Sequence, residues 1–77
     1  MDIKPDQKLD CSGLSCPVPV IKMARTLKKM ASGQVLEMIG TDPGSLDDVP
    51  DWCDRTGNEL LEVIEEGGTH RFYVKKK

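Results

Sequence analysis

The seven residues 13–19, GLSCPVP, limit the possible folds of this chain more than any other stretch. Gly13 allows a tight turn with positive φ. Pro17 cannot donate a hydrogen bond to a neighbouring strand, but it suits the first turn of a helix, where its N–H would lack a partner. Pro19 removes a second donor in the same turn. We therefore predict that a strand ends before the turn and that a helix begins after it, with Cys16 as its N-cap.

Two strands and one helix are predicted around this turn. Residues 7–11 form a short strand with Leu9 pointing inward, and residues 34–40 form a second strand. Residues 17–31 form the helix between them, which ends at a Ser-Gly pair. Its apolar residues follow helical spacing and are Val20, Ile21, Met23, Ala24, Leu27, Met30 and Ala31. The opposite face carries the basic residues Lys22, Arg25, Lys28 and Lys29.

A second helix is predicted after the stretch TDPGS, which breaks the chain. Ser45 and Asp48 match a capping box. Pro50 must lie near a helix start, so the helix begins at either Ser45 or Pro50. It ends at Thr56, because Gly57 and the asparagine after it tolerate a left-handed conformation.

The end of the chain predicts a hairpin. Strands at residues 59–66 and 69–76 flank the glycine pair 67–68. The element order is then β-α-β-α-β-β, and two helices can cover one face of a four-stranded mixed sheet, leaving the other face partly open. We predict an α+β fold, a two-layer α/β sandwich, with one domain over residues 1–77 and residues 1–6 as a flexible tail.

The topology predicts where a functional site would lie. A strand–helix–strand unit makes its two strands parallel, so their carboxyl ends share one edge of the sheet. Ligands of open α/β sheets bind at that edge. Cys16 and the loop at residues 41–45 should therefore be neighbours in space, although they are far apart in the sequence.

Cysteine at a helix start has a chemical use. The positive end of the helix dipole and free backbone N–H groups, here those of Val18 and Val20, favour a thiolate and lower the thiol pKa. Lys22 and Arg25 add positive charge one or two turns further on. In the alternative interpretation Cys16 is a buried cap without chemistry. Serine or aspartate would cap better, which favours the chemical interpretation.

Composition excludes several classes of protein. The chain has 77 residues, three of them aromatic, a net charge of −2 and a pI near 5.3. Nucleic-acid-binding domains are more often basic and stack bases on aromatic side chains, so direct nucleic-acid binding is not expected. The sequence has no apolar run long enough for a membrane span and no signal peptide at its start. We expect a cytoplasmic monomer that does not contact membranes.

The three cysteines do not predict a disulfide framework or a metal site. Cys11, Cys16 and Cys53 are an odd number, no CxxC pair occurs, and His70 lies far along the chain. We expect free thiols, no bound metal and no cofactor. Cys53 shares a helix face with apolar residues and is predicted to be a core thiol. His70 alternates with apolar residues and is predicted to be a strand residue rather than a base.

Several short motifs together resemble the TusA/SirA family. They are Leu9-Asp10, Gly13-Leu14, Cys16-Pro17-Val18-Pro19, Asp42-Pro43, Asp48-Val49-Pro50 and Cys53. The match runs in register over residues 9–74. The CPxP motif after a short strand is specific in combination with the DP motif and the D-[IV]-P-x-x-C motif further along the chain.

This resemblance implies a fold and a function. The fold is a βαβαββ two-layer sandwich similar to the C-terminal domain of translation initiation factor 3. The function is that of a sulfur carrier, a sulfurtransferase in which Cys16 holds a persulfide. The implied donors are a cysteine desulfurase or a rhodanese-like or DsrE-like protein. The implied acceptors serve tRNA thiolation, molybdenum cofactor assembly or sulfur oxidation.

Some residues keep two interpretations. Cys11 occupies a position where the family pattern does not require cysteine; it is either a passive strand end or a resolving thiol that forms a disulfide with Cys16. Trp52 either packs against the sheet or contacts a partner. Many tRNA-pathway members carry Gly-His where this chain has Gly57-Asn58, which favours a sulfur-oxidation or generic member.

The remaining predictions concern supporting residues. Gly13, Pro17, Pro19 and Asp42 are expected to support the cysteine, while Lys22, Arg25 and Trp52 are expected to bind partner proteins. The competing functional hypothesis is a non-catalytic module that holds RNA or a protein on the open sheet face or the basic helix. Whether the chain is an enzyme in its own right stays open, with a sulfurtransferase favoured.

Overall fold

The predicted order of elements is confirmed by a computed structural model, which describes residues 3–15 and 17–77. Met1, Asp2 and Cys16 lie outside the described residues. The elements, numbered along the chain, are β1 (Gln7–Cys11), α1 (Val18–Lys28), β2 (Val35–Gly40), α2 (Ser45–Thr56), β3 (Glu59–Glu66) and β4 (Thr69–Lys75).

The four strands form one mixed sheet in the order β1-β2-β4-β3. The pair β1–β2 is parallel, whereas β4 is antiparallel to both β2 and β3. Because β4 inserts between β2 and β3, the last strand of the chain lies in the interior of the sheet. The predicted fold class, a two-layer sandwich of the βαβαββ type, is confirmed.

Both helices cover the same face of the sheet. On that face Met38 is paired with Phe72, and both side chains are fully buried. Met23 of α1 and Val49 of α2 belong to the same buried cluster. Truncation of a buried phenylalanine to alanine typically costs about 3–5 kcal/mol, so this single layer of side chains holds the two layers together.

Helix α1 differs from its prediction at both ends. Its N-cap is Pro17, so the prediction of Cys16 as the N-cap is wrong. The helix ends at Lys28 rather than Ala31, because the Ala31 N–H donates to Gln34 Oε1 at 2.8 Å instead of to a helix carbonyl. The freed carbonyls of Lys28 and Met30 accept hydrogen bonds from Lys76 Nζ at 3.3 and 2.5 Å.

Helix α2 begins at Ser45, the earlier of its two predicted starts, and contains Pro50 within it. The N-cap is Gly44 and makes no side-chain cap hydrogen bond, so the predicted capping box of Ser45 and Asp48 is wrong. Ser45 is instead a fully buried first helical residue. The predicted end is confirmed, since Gly57 adopts a left-handed φ of 81°.

The flexible tail predicted over residues 1–6 does not include Asp6. The Asp6 N–H donates to Val35 O at 2.8 Å, and the Val35 N–H donates to Asp6 Oδ2 at the same distance. This pair of hydrogen bonds extends the β1–β2 pairing by one residue. Asp6 is therefore fixed to the sheet rather than free.

Candidate functional site

The carboxyl ends of β1 and β2 lie side by side, as the parallel pairing requires. Cys11, the last residue of β1, is paired with Gly40, the last residue of β2. The loops that follow are also joined, because the Gly13 N–H donates to Thr41 Oγ1 at 2.9 Å. The segment that leads to Cys16 is thus next to the loop before α2, as predicted, while Cys16 itself lies outside the described residues.

The turn after β1 is fixed by local hydrogen bonds. The Ser12 N–H donates to Asp10 Oδ1 at 2.9 Å, and the Leu14 N–H donates to Cys11 O at 3.1 Å. Gly13 has a φ of 79°, while a Cβ added there would meet no atom within 4 Å. Glycine is therefore required by the backbone conformation and not by lack of space.

The start of α1 leaves fewer free amide donors than predicted. The Val18 N–H already donates to Ser15 O at 3.0 Å, so it is not a free donor for an anion. The next turn is closed by the Ile21 N–H, which donates to Pro17 O at 3.0 Å. Of the two predicted donors, the backbone N–H groups of Val18 and Val20, the one that remains a candidate is that of Val20. No residue of the first turn of α1 is acidic, so the positive end of this helix dipole is not neutralised from within the helix.

Apolar and basic side chains are exposed together at the start of α1. Val18 and Ile21 are 39% and 45% exposed, and Pro17, Lys22 and Arg25 are also exposed. We call these five residues the α1 surface. The prediction that Ile21 belongs to the core face is wrong. Ile21 lies three residues after Val18 and four before Arg25, and residues with this spacing share one face of a helix. The sequence therefore contained the information that places Ile21 on the exposed face.

Asp42 fixes the loop on the other side of this edge. The Gly44 N–H donates to Asp42 Oδ1 at 3.3 Å, and the Ser45 N–H donates to the Asp42 carbonyl at 3.1 Å. A Cβ on Gly44 would lie 3.3 Å from Asp42 Oδ2, so the turn leaves little room for a larger residue. Asp42 thereby holds the start of α2 next to Thr41, the residue that accepts the hydrogen bond from Gly13.

Trp52 lies on α2 and packs against the buried cluster while remaining partly exposed. It is the eighth residue of the helix, and at a rise of about 1.5 Å per residue it lies roughly 10 Å along the axis from Ser45. The packing interpretation of Trp52 is therefore supported. Its contact with a partner remains a prediction.

The two described cysteines are buried and free. Cys53 is 2% exposed, and burial raises the pKa of its thiol to about 11, which confirms a core thiol. Cys11 is fully buried, and burial raises the pKa of its thiol. The positive charge of Lys22 lowers this pKa by a smaller amount, and the negative charge of Asp10 raises it. Both thiols are therefore mainly protonated at neutral pH. Cys16 is flanked in the sequence by two exposed residues, Ser15 and Pro17.

His70 lies at the same sheet edge, which its distance along the sequence did not reveal. It is a residue of β4, as predicted, and is paired with Gly40. The side chain is 6% exposed and makes an edge contact with Phe72, with ring centroids 6.5 Å apart. Within the described residues, neither Nδ1 nor Nε2 has a hydrogen-bond partner.

No helix in the described part of the chain is long and apolar enough to cross a membrane.

Comparisons with known proteins agree on one family. A family model described as Sulfurtransferase TusA matches residues 7–76. A protein of Allochromatium vinosum named sulfur carrier protein TusA is 54% identical over 71 residues, which are 92% of this chain and 93% of that protein. A putative sulfur carrier protein of Aquifex aeolicus is 48% identical over 75 residues, 97% of this chain but 38% of that longer protein. The crystal structure of a SirA-like protein from Desulfitobacterium hafniense matches this chain with a TM-score of 0.80 at 20% sequence identity. The match covers 90% of this chain and 95% of that one, so the two share a fold.

Proposed function

The chain belongs to the TusA sulfurtransferase family, and we propose that it carries sulfur as a persulfide on Cys16. The observation that supports this choice of residue is the contrast between the three thiols. Cys11 and Cys53 are buried and have raised pKa values. Cys16 lies in the sequence between two exposed residues, Ser15 and Pro17, in the segment that joins β1 to α1.

The chemistry requires only a thiolate. The Cys16 sulfur attacks the outer sulfur of a donor persulfide; a new S–S bond forms on Cys16, the donor S–S bond breaks, and the donor cysteine leaves as a thiolate. Delivery to an acceptor repeats this exchange in the opposite sense. No oxidant or reductant is consumed. The first turn of α1, which contains no acidic residue, favours both the thiolate and the persulfide anion.

The supporting residues act on position rather than on the sulfur. Gly13 supplies the left-handed turn and its N–H binds Thr41. Asp42 holds the facing loop, and Pro17 and Pro19 fix φ in the first turn of α1. For Cys11 we favour the passive alternative, because a resolving thiol would have to leave a fully buried position.

Partner proteins supply and remove the sulfur. The proposed donors are a cysteine desulfurase or a rhodanese-like or DsrE-like protein, and the α1 surface is the proposed docking area, with Lys22 and Arg25 steering an acidic partner. Trp52 is a further proposed contact. Because Asn58 stands where many tRNA-pathway members carry histidine, we propose a sulfur-oxidation or general relay pathway. The protein is proposed to act in the cytoplasm as a single-domain monomer.

Mass spectrometry of the loaded protein tests the carrier function. Incubation with thiosulfate and a rhodanese, or with cysteine and a desulfurase, should add about 32 Da to the peptide that contains Cys16. Dithiothreitol should remove the adduct, and the Cys16→Ser variant should not form it, while Cys53→Ala should form it normally. Mass added to Cys53, or retained in Cys16→Ser, would contradict the assignment of the carrier thiol to Cys16, whereas loading of no cysteine would favour the binding-module hypothesis.

A further inference from the structure

Three side chains with soft or nitrogen donor atoms meet over Gly40, on the face of the sheet that the helices cover. Cys11 and His70 are the two register partners of Gly40, one on each side. Met38 lies two residues earlier on the same face, and its Sδ is 3.7 Å from the position that a Gly40 Cβ would occupy. The Met38 thioether sulfur thus lies against Gly40, between the strands that carry the thiol and the imidazole. We call Cys11, Met38 and His70 the Gly40 cluster.

The imidazole of His70 is in an unfavourable state without a ligand. Its side chain is more than nine-tenths buried, and within the described residues both ring nitrogens lack a hydrogen-bond partner. A neutral imidazole has one donor and one acceptor, and a buried polar group left unpaired is destabilising. A wholly apolar side chain at this position would avoid this cost. The nitrogen atoms therefore indicate a binding role that the sulfur carrier function does not use.

We propose that the Gly40 cluster binds Cu(I), through the Cys11 thiolate, the Met38 thioether and a His70 ring nitrogen. Thiolate and thioether sulfur select soft cations such as Cu(I), and imidazole also suits copper. A zinc site is a poorer match, because among the described residues no three or more His, Cys, Asp or Glu side chains are placed so that they could hold a metal ion together. Formation of the Cu(I)–sulfur bond releases the Cys11 proton to solvent, and no electron is transferred.

The spacing of the strands allows all three ligands to reach one ion. Strands lie about 4.8 Å apart, so the Cα atoms of Cys11 and His70 are about 9.6 Å apart. Bonds of about 2.3 Å to sulfur and about 2.0 Å to nitrogen, as in zinc sites, leave roughly 5.3 Å for the two side chains. Measured from Cα to the donor atom, a cysteine and a histidine side chain together reach further than this, so both donors can approach one ion. Methionine is flexible, so the Met38 sulfur can move the remaining distance.

Access to the site is short. Cys11 and Gly40 are the last residues of their strands, and the residues that follow them, Ser12 and Thr41, are exposed. An ion therefore needs to pass only the turn formed by these two loops. Bound Cu(I) would join the carboxyl end of β1 to the start of β4 across β2.

Anaerobic titration of Cu(I) against a competing chromogenic chelator tests the site. All measurements use the Cys16→Ser protein, which cannot carry a persulfide, so that the result is independent of the proposed carrier function. We expect one Cu(I) per chain, Cu(I)–thiolate absorption and a higher Tm with the ion bound. His70→Phe and Met38→Leu should each weaken binding by about tenfold or more.

The variants are chosen so that misfolding cannot explain the result. His70→Phe replaces the unpaired nitrogens with an apolar ring, and its ion-free Tm should be equal to or above that of the parent. Cys53→Ala removes the other described thiol and should leave Cu(I) affinity unchanged. Loss of all binding in Cys16→Ser, or unchanged affinity in both His70→Phe and Met38→Leu, would overturn the proposal.

Discussion

At neutral pH, iodoacetamide should alkylate Cys16 at least about 20-fold faster than Cys53 in the folded protein. The perturbation is chemical modification under native conditions, and the reason is the difference in thiolate population. The pKa of Cys53 is raised to about 11 by burial. At pH 7 its thiolate fraction is then on the order of 10⁻⁴, against about 0.03 for a thiol at the reference pKa of about 8.5.

The ratio of thiolate fractions, about 300, overstates the difference in rate. A thiolate of higher pKa is intrinsically more nucleophilic, and with a Brønsted coefficient of about 0.45 a pKa difference of about 2.5 recovers roughly 13-fold. About 20-fold therefore remains. Burial of the Cys53 sulfur, which is almost inaccessible to the reagent, widens the ratio further. The lowered thiol pKa that a helix start predicts for Cys16 would widen the ratio further.

Peptide mass spectrometry of timed samples measures all three rates in one experiment. Cys11 should react slowly as well, because it is fully buried and its pKa is raised. Denaturation in urea is the control, because the three thiols should then react at similar rates. Equal rates in the folded protein, or fastest reaction at Cys53, would refute the assignment of Cys16 as the accessible nucleophile.

Three further predictions concern the helix start, pH and charge. Pro17→Ala should cost about 0.5–1 kcal/mol of stability through chain entropy, whereas Pro19→Ala should cost about 1–2 kcal/mol because Pro19 is fully buried. Urea unfolding measures both free energies. Both variants should remain folded and transfer sulfur more slowly. The pKa of Cys53 is raised on folding, so the contribution of its protonated thiol to folding stability is complete below about pH 8.5. This contribution falls by up to about 3 kcal/mol as the pH rises towards 11. Cys53→Ala should remove this part of the pH dependence of stability. Charge reversal at Lys22 and Arg25 should slow transfer from a protein donor and reduce its salt dependence, with loading from a small polysulfide unchanged.

Local signals were enough to predict most of the elements. Strand β3 runs over Glu59–Glu66 as predicted, because glycine or asparagine stands at each of its ends. The left-handed Gly57 ends α2 for the same reason. Such signals act within a few residues of the chain, so they can be read without knowledge of the tertiary structure.

Several of the differences from prediction involve interactions between distant parts of the chain. The carbonyls at the end of α1 are bound by Lys76, which lies more than 40 residues away. Ser45 is the fully buried first residue of α2, and Gly44 occupies the capping position that the sequence motif assigned to Ser45. His70 was judged by its distance along the sequence from the cysteines, whereas the strand order places it beside Gly40, and Gly40 beside Cys11.

A carrier must release each partner after a single exchange, and the composition of the α1 surface, the proposed docking area, fits this requirement. Two exposed apolar residues, Val18 and Ile21, provide little area, so binding through them is weak and readily reversed. Exposed Lys22 and Arg25 act mainly on the rate of association and are screened by salt. The rigid part of the site is instead the backbone, where Gly13 is joined to Thr41. Donor and acceptor can then meet the same positioned turn in succession, with affinity low enough for each to leave.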